Sequence, residues 1–146
     1  MIVKHPNSIL NQRCLLVEHS EMSNLADELM AVFTDPSVSA VGLAANQIGR
    51  NLQAFVYNSG DGPKAMFNPV ITNVGKTFLL EKEACLSLPG LFIPTARSTV
   101  ITVEYTNIYN KRVTDEYGDY EARIIQHEID HLKGKLIMKK RKKKRK

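Results

Sequence analysis

The sequence predicts an α+β fold in which an N-terminal helix and a C-terminal helix pack against mainly antiparallel sheets. In residues 20–33 and again in residues 120–132, apolar side chains recur at the spacing of an amphipathic helix. Between these segments lie short β-prone runs, which are separated by turns rich in glycine, proline and asparagine. Two helices that flank a series of strands are typical of the α+β class.

The predicted elements follow in order along the chain. The first helix ends ahead of Pro36, because proline disfavours helical backbone in the residue before it. Its apolar stripe is formed by Met22, Leu25, Ala26, Leu29 and Phe33. Strands are predicted at residues 52–57, 65–71, 76–80 and 98–106, with turns at residues 58–63 and 88–90. Gly134 stops the second helix, whose apolar stripe is formed by Ala122, Ile125, Ile129 and Leu132.

Composition and charge indicate one folded domain with a basic tail. The 146 residues are 43% hydrophobic and 24% charged, which suits a single core. The net charge of +5 arises from the eight consecutive basic residues at 139–146, since residues 1–138 hold 12 basic and 15 acidic side chains. We expect a domain at residues 1–138 and a disordered tail at residues 139–146, which either binds RNA phosphates or only aids solubility.

Two classes of protein are excluded by the sequence pattern. No apolar run approaches the ~18 to 20 residues that cross a bilayer, and the first residues lack the pattern of a signal peptide. Neither membrane spanning nor secretion is therefore expected. Cys14 and Cys85 are too few for a disulfide framework, which fits a reducing compartment.

The sequence HEIDH in the second helix is a candidate metal site. Its four-residue spacing places the imidazoles of His127 and His131 one turn apart on the same helix face. Glu128 lies beside them, where it can accept a proton from a water molecule that a metal acidifies. The alternative is a pair of surface histidines without a metal.

A catalytic site of this kind has three protein ligands and one open position. The 15 residues after His131 contain no Asp, Glu, His or Cys, so the third ligand is expected upstream. Cys85 is favoured, because its thiolate suits a borderline metal and a turn in EACLSLPG can orient it. Cys14 is the alternative, but its apolar neighbours are more typical of a core side chain.

The segment GLAANQIG, residues 42–49, is a further candidate. Its small residues allow close approach of backbone or ligand. The amide of Gln47 can donate a hydrogen bond to an oxyanion that forms as water attacks a carbonyl. A tightly packed turn without a catalytic role is the other interpretation.

Together, the three segments resemble the peptide deformylase family, whose motifs are GxGxAAxQ, EGCLS and QHExDH. In this chain they stand at residues 40–47, 83–87 and 126–131. The resemblance covers most of the chain. It implies metal-dependent hydrolysis of the N-formyl group on the initiator methionine of a new polypeptide.

The resemblance also implies a role for each matching residue. Cys85, His127 and His131 would bind one divalent metal ion. Fe²⁺ is the metal most expected, and Ni²⁺, Co²⁺ or Zn²⁺ are alternatives. Glu128 would be the general base and then the acid. Gln47 and the backbone N–H of Leu86 would stabilise the oxyanion. The backbone of Gly42 would contact the peptide. The methionine pocket would be formed by Val41, Leu88, Phe92, Ile124 and His127.

Three positions depart from the family motifs. Ala40 and Ala84 replace glycines, and Asn46 replaces the usual proline. Ala84 raises the question of whether the cysteine loop needs positive φ there. Arg97 is expected either to pair with Glu83 or Asp130, or to remain solvated.

The expected partner is a formyl-methionyl nascent peptide, with ribosomal RNA contacted through the tail and no membrane. A monomer in a bacterial or phage-infected cytoplasm is expected, with an organelle as the alternative. Two other functions stay open: a metal amidase or peptidase for another acyl group, and a non-catalytic RNA-associated metal protein. Intact Gln47 and Glu128 argue against the second, since a structural metal needs neither group.

Overall fold

The computed structural model describes residues 2–136, and it confirms the α+β class. Residues 139–146, predicted as a disordered tail, lie outside this range. Helix α1 spans His19–Phe33 and helix α2 spans Asp119–Leu132. The strands are β1 (Gly42–Ala44), β2 (Ala54–Asn58), β3 (Pro63–Val74), β4 (Phe78–Cys85), β5 (Leu88–Ser98), β6 (Val100–Thr106) and β7 (Arg112–Gly118).

The strands form two antiparallel sheets. Five of them pair in the order β1-β2-β3-β6-β7, and β4 and β5 form a separate two-stranded ribbon. Helix α2 packs against strands of both sheets, so it lies where the ribbon meets the larger sheet. Within residues 2–136, no helix has the length and apolar character needed to cross a membrane.

The strand predictions differ from the structure at the ends of most strands, since β4 continues to Cys85 and β5 occupies residues predicted as a turn and a loop. Three differences are larger. The turn predicted at residues 88–90 belongs to β5, and the ribbon reverses at Leu86 and Ser87 instead. Proline is tolerated there because, among residues 2–136, β5 pairs only with β4 and leaves its other edge unpaired. Strand β7 was missed because its sequence, RVTDEYG, is mostly polar and exposed at a sheet edge. Strand β1 is a three-residue strand inside a segment interpreted as a turn or a site.

Helix α1 begins with a reciprocal capping arrangement between Glu18 and Glu21. Four members of the predicted apolar stripe are buried, and Phe33 packs against the same cluster. This cluster includes apolar side chains from β1 and β2, so α1 supports the back of the strand that precedes Gln47. The burial provides the hydrophobic stabilisation that an isolated helix of this length lacks.

Helix α2 has one apolar face and one polar face. Its predicted stripe is buried in a second cluster with side chains of β2, β3, β6 and β7. Cys14 lies in this cluster, and burial raises the pKa of its thiol to about 11. The thiol is therefore a core group with little thiolate character. The helix face opposite the stripe is left for the polar residues of the HEIDH sequence.

Candidate metal centre

Helix α2 and the end of β4 bring three potential metal ligands together. The rings of His127 and His131 lie one helical turn apart with centroids separated by 5.0 Å. Sγ of Cys85 lies 3.2 Å from Nε2 of His131. One ligand atom from each of the three residues lies within 4.8 Å of the others. Cys85, and not Cys14, therefore joins the two histidines.

The imidazoles of His127 and His131 differ in their hydrogen bonds and in their pKa values. Nδ1 of His127 lies 2.9 Å from Oε1 of Glu83, so its other nitrogen is the one available to a metal. Burial opposes the charge on His127, yet hydrogen bonds to Cys85 and Glu83 raise its pKa to about 10. Burial, assisted by the charge of His127, lowers the pKa of His131 well below its usual range. A metal would displace the proton from His127 and would find His131 already neutral.

A buried ion-pair cluster holds Glu83 beside His127. The guanidinium of Arg97 is only 2% exposed and donates to both oxygens of Glu83, at 2.9 and 2.8 Å. It also donates to Asp130 on α2. Burial raises the pKa of Glu83, but hydrogen bonds from Arg97 and His127 outweigh burial and lower this pKa to about 2. The predicted pairing of Arg97 is confirmed with both acids, and the solvated alternative is wrong.

The segment with Gln47 is a short strand followed by a 3₁₀ turn, Ala45–Ile48. Oε1 of Gln47 accepts from the N–H of Ala44 at 2.9 Å, which determines the orientation of the amide. Nε2 donates to Oγ of Ser87 at 3.1 Å and lies 3.6 Å from Sγ of Cys85. The amide donor thus points to the side of the candidate metal site where the ribbon reverses.

Glu128 is buried beside this site, with 3% of its surface exposed. Its Oε1 has no hydrogen-bond partner among residues 2–136, and burial raises the pKa of its carboxyl group to about 7. A Cβ atom added at Gly42 would lie 2.5 Å from Oε2 of Glu128. The carboxylate of Glu128 therefore packs directly against the backbone of Gly42, where any side chain would clash with it.

A cavity of about 570 Å³ opens onto these groups. The predicted residues that line it are Val41, Gly42, Gln47, Cys85, Leu86, Ile124, His127 and Glu128. Leu88 and Phe92 were expected in the methionine pocket but lie elsewhere. Leu88 is buried in a small cluster with Leu10 and Leu136, whereas Phe92 is 67% exposed. Regular alternation would place both on one face of β5, but the register shift between Glu83 and Cys85 and the positive φ of Gly90 interrupt it.

The cavity also has lining residues that sequence reasoning missed. Tyr120 and Arg123 precede His127 by seven and four residues, so they share its helix face and contribute to the cavity wall. This spacing is the signal that could have identified them. Ala40 and Ala84 line the cavity as well. Ala84 is not among the residues with positive φ, so its strand backbone needs no glycine.

The donor set fits a divalent transition metal. One thiolate and two imidazoles suit metals of borderline softness, and three protein ligands leave a position for water or substrate. The unpartnered oxygen of Glu128 is a buried acceptor at the same cavity. A metal held by the three ligands would acidify a water molecule, whose proton Glu128 can accept, and the amide of Gln47 can donate to a developing oxyanion.

Comparison with known proteins finds relatives of this chain. A sequence model of the family described as polypeptide deformylase matches residues 1–146. The peptide deformylase of Thermotoga maritima is 43% identical over 98 residues, which are 67% of this chain and 60% of that protein. The alignment thus spans less than two thirds of that relative's length.

Two solved structures are similar over nearly the whole fold. The crystal structure of peptide deformylase from Thermotoga maritima has a TM-score of 0.89 and 35% identity, with coverage of 96% of this chain and 95% of that chain. The class I type b peptide deformylase of Acinetobacter baumannii, with Met-Ala-Ser bound, has a TM-score of 0.86 and 26% identity, with coverage of 96% of both chains.

Proposed function

Since this chain belongs to the peptide deformylase family, we propose that it removes the N-formyl group from the N-terminal methionine of newly synthesised polypeptides and releases formate. The observation that carries this proposal is that Cys85 and His127, which cluster with His131, line one cavity together with Glu128 and Gln47. No observation favours the two alternative functions.

The cofactor we propose is one divalent ion per chain, with Fe²⁺ preferred over Ni²⁺, Co²⁺ and Zn²⁺. Cys85, His127 and His131 would hold it. A bound ion would supply Lewis acidity, which lowers the pKa of water and polarises a carbonyl. Glu83 keeps His127 in one orientation and tautomer, as carboxylates beside metal-binding histidines do.

Glu128 would take a proton from the attacking water molecule while the oxygen of that water forms a bond with the formyl carbon. The raised pKa of its buried carboxyl group suits both acceptance and return of a proton near neutral pH. As the carbonyl oxygen gains negative charge, the amide of Gln47 and the backbone N–H of Leu86 would donate to it. Removal of one such donor typically costs about 10²-fold to 10³-fold in kcat.

The second half of the reaction returns the proton. Glu128 would deliver it to the amide nitrogen, so that the carbon–nitrogen bond breaks and the free amine can leave. Formate is the other product. The burial of Glu128 against Gly42 keeps the carboxylate close to one place during both transfers.

The substrate would lie between β1 and β4, both of which contribute residues to the cavity lining. We propose that the methionine side chain contacts Val41 and Ile124, and that the backbone of Gly42 contacts the peptide. The Acinetobacter baumannii relative was crystallised with Met-Ala-Ser, the peptide expected after deformylation of formyl-Met-Ala-Ser. This supports a short extended peptide as the substrate class.

The test is formate release from formyl-Met-Ala-Ser by the anaerobically purified protein loaded with Fe²⁺ or Ni²⁺. Metal-dependent release of formate is expected. Acetyl-Met-Ala-Ser should release no acetate. Full metal occupancy without formate release would contradict the proposal. Hydrolysis of the acetyl peptide at a similar rate would instead indicate a broader amidase.

Gly42→Ala is expected to lower kcat by tenfold or more while the metal is retained. The added methyl group would meet Oε2 of Glu128 and displace the carboxylate, and small misplacements of this kind can cost about 10²-fold. Formate release and metal content measure the two effects. Gly118→Ala is the matched control, because its Cβ meets only a backbone oxygen at 3.6 Å. Equal activity of both variants would contradict the steric argument.

The remaining expectations are also proposals. We propose a single catalytic domain at residues 1–138, a monomer, in the cytoplasm where formylated chains are made, with an organelle as the alternative. Residues 139–146 would contact ribosomal RNA through its phosphates. Such contact would weaken steeply with salt. Equal ribosome affinity of the full chain and of a chain without residues 139–146, across a salt series, would rule it out.

A further inference from the structure

Asn46 makes a contact that its place in the sequence does not suggest. It is completely buried in the same 3₁₀ turn as Gln47. Its Nδ2 atom donates to the backbone carbonyl of His131 at 2.8 Å, across 85 residues of chain. Its Oδ1 atom accepts no hydrogen bond from residues 2–136. Proline, which is usual at this position in the family motif, has no amide with which to make this bond.

The carbonyl of His131 lies in the last turn of α2, where carbonyl groups have no intrahelical partner. A local donor, the N–H of Gly134, also reaches it at 2.9 Å. The next carbonyl, that of Leu132, accepts from the N–H of Cys14 at 2.9 Å. Asn46 is thus the side-chain donor that links this end of α2 to the turn that carries Gln47.

We propose that Asn46 is a positioning residue for the metal ligand His131. The bond holds the last turn of α2 at one distance from the 3₁₀ turn, while Gln47 in that turn is bonded to Ser87 beside Cys85. The ligands from α2 and β4 thereby keep their separation. The inference rests on the proposed metal site and needs no deformylase activity.

Removal of the Asn46 amide leaves the carbonyl of His131 with local backbone donors, the N–H groups of Gly134 and of Lys133, and without its bond to the 3₁₀ turn. The last turn of α2 can then shift, and the His131 ring shifts with it relative to Cys85. Loss of groups that orient metal ligands typically costs 10- to 100-fold in metal affinity or activity. We expect the lower end of this range, because Asn46 acts on the backbone of His131 rather than on its ring.

The experiment compares Asn46→Leu with the wild-type chain, both loaded with Co²⁺. Leucine has a similar volume and cannot donate. We expect Co²⁺ release to a chelator to be about tenfold faster, with a shift of the visible and thiolate-to-cobalt absorption bands. Asn46→Ala, which also lacks the donor and is smaller than asparagine, is a second variant. It carries the same expectation if the leucine variant does not fold.

Gln53→Met is the matched control. The amide of Gln53 also donates to a distant backbone carbonyl, that of Cys14 at 3.1 Å, and within residues 2–136 it makes no hydrogen bond to the three metal ligands. Urea unfolding should show a loss of stability in this control, with the release rate and the spectrum of Co²⁺ unchanged. Wild-type release and spectrum in Asn46→Leu would overturn the proposal. Co²⁺ release that is faster in Gln53→Met, in proportion to the stability lost, would also overturn the proposal.

These readouts are independent of turnover. A protein that binds Co²⁺ but releases no formate would contradict the proposed function and leave the role of Asn46 open to the same measurement. Conversely, full deformylase activity together with unchanged Co²⁺ release in Asn46→Leu would contradict only the role of Asn46.

Discussion

Glu128→Ala is expected to lower formate release by about 10³-fold, within the 10² to 10⁴ range typical of general acid–base groups. The carboxylate is buried at the cavity and follows His127 directly. Of the other acids that line the cavity, Glu83 is already bonded to Arg97 and His127, and Glu81 is exposed. Glu128 is not one of the three clustered ligands, so metal content should remain near one ion per chain. Formate release and metal analysis on the same samples separate the two effects.

Two further variants sharpen this result. Glu128→Gln keeps the shape against Gly42 but cannot accept the proton, so it should lose turnover as Glu128→Ala does. Glu121→Ala removes the other glutamate of α2, which bonds Tyr57, and should cost stability but not metal-dependent turnover. Retained formate release in Glu128→Gln would refute the proposed base role.

Cys85→Ala is expected to weaken metal binding by more than 100-fold and to abolish turnover with the metal that remains. Loss of a direct ligand should exceed the 10- to 100-fold effect of losing a group that only orients one. The side chain is half-buried at the end of the ribbon, so its truncation should leave the fold intact. Metal dissociation constants and the thiolate-to-cobalt absorption of the Co²⁺ protein measure the effect.

Cys14→Ala is the control for this prediction. Its thiol lies in the hydrophobic cluster under α2, and its high pKa disfavours the thiolate form. We expect some loss of stability from the smaller core side chain, with an unchanged cobalt spectrum. Metal loss of equal size in both cysteine variants would show that the sulfur of Cys85 is not a ligand.

The sequence by itself determined the α+β class, the two helices and the candidate chemistry. The spacing of His127 and His131 places both rings on one face of α2 in any helix that forms there. The apolar stripes likewise identified which face of each helix is buried, because they depend only on periodicity within one element. Even the core position of Cys14 followed from its apolar neighbours.

Only the tertiary structure decided which distant groups meet. It joined Cys85 to the histidines, paired Arg97 with both Glu83 and Asp130, and placed Leu88 and Phe92 away from the cavity. It also created the bond between Asn46 and His131. Such contacts depend on how the ribbon, the sheet and α2 pack together. Residue spacing within one segment carries no information on this packing, because the partners are separated by tens of residues.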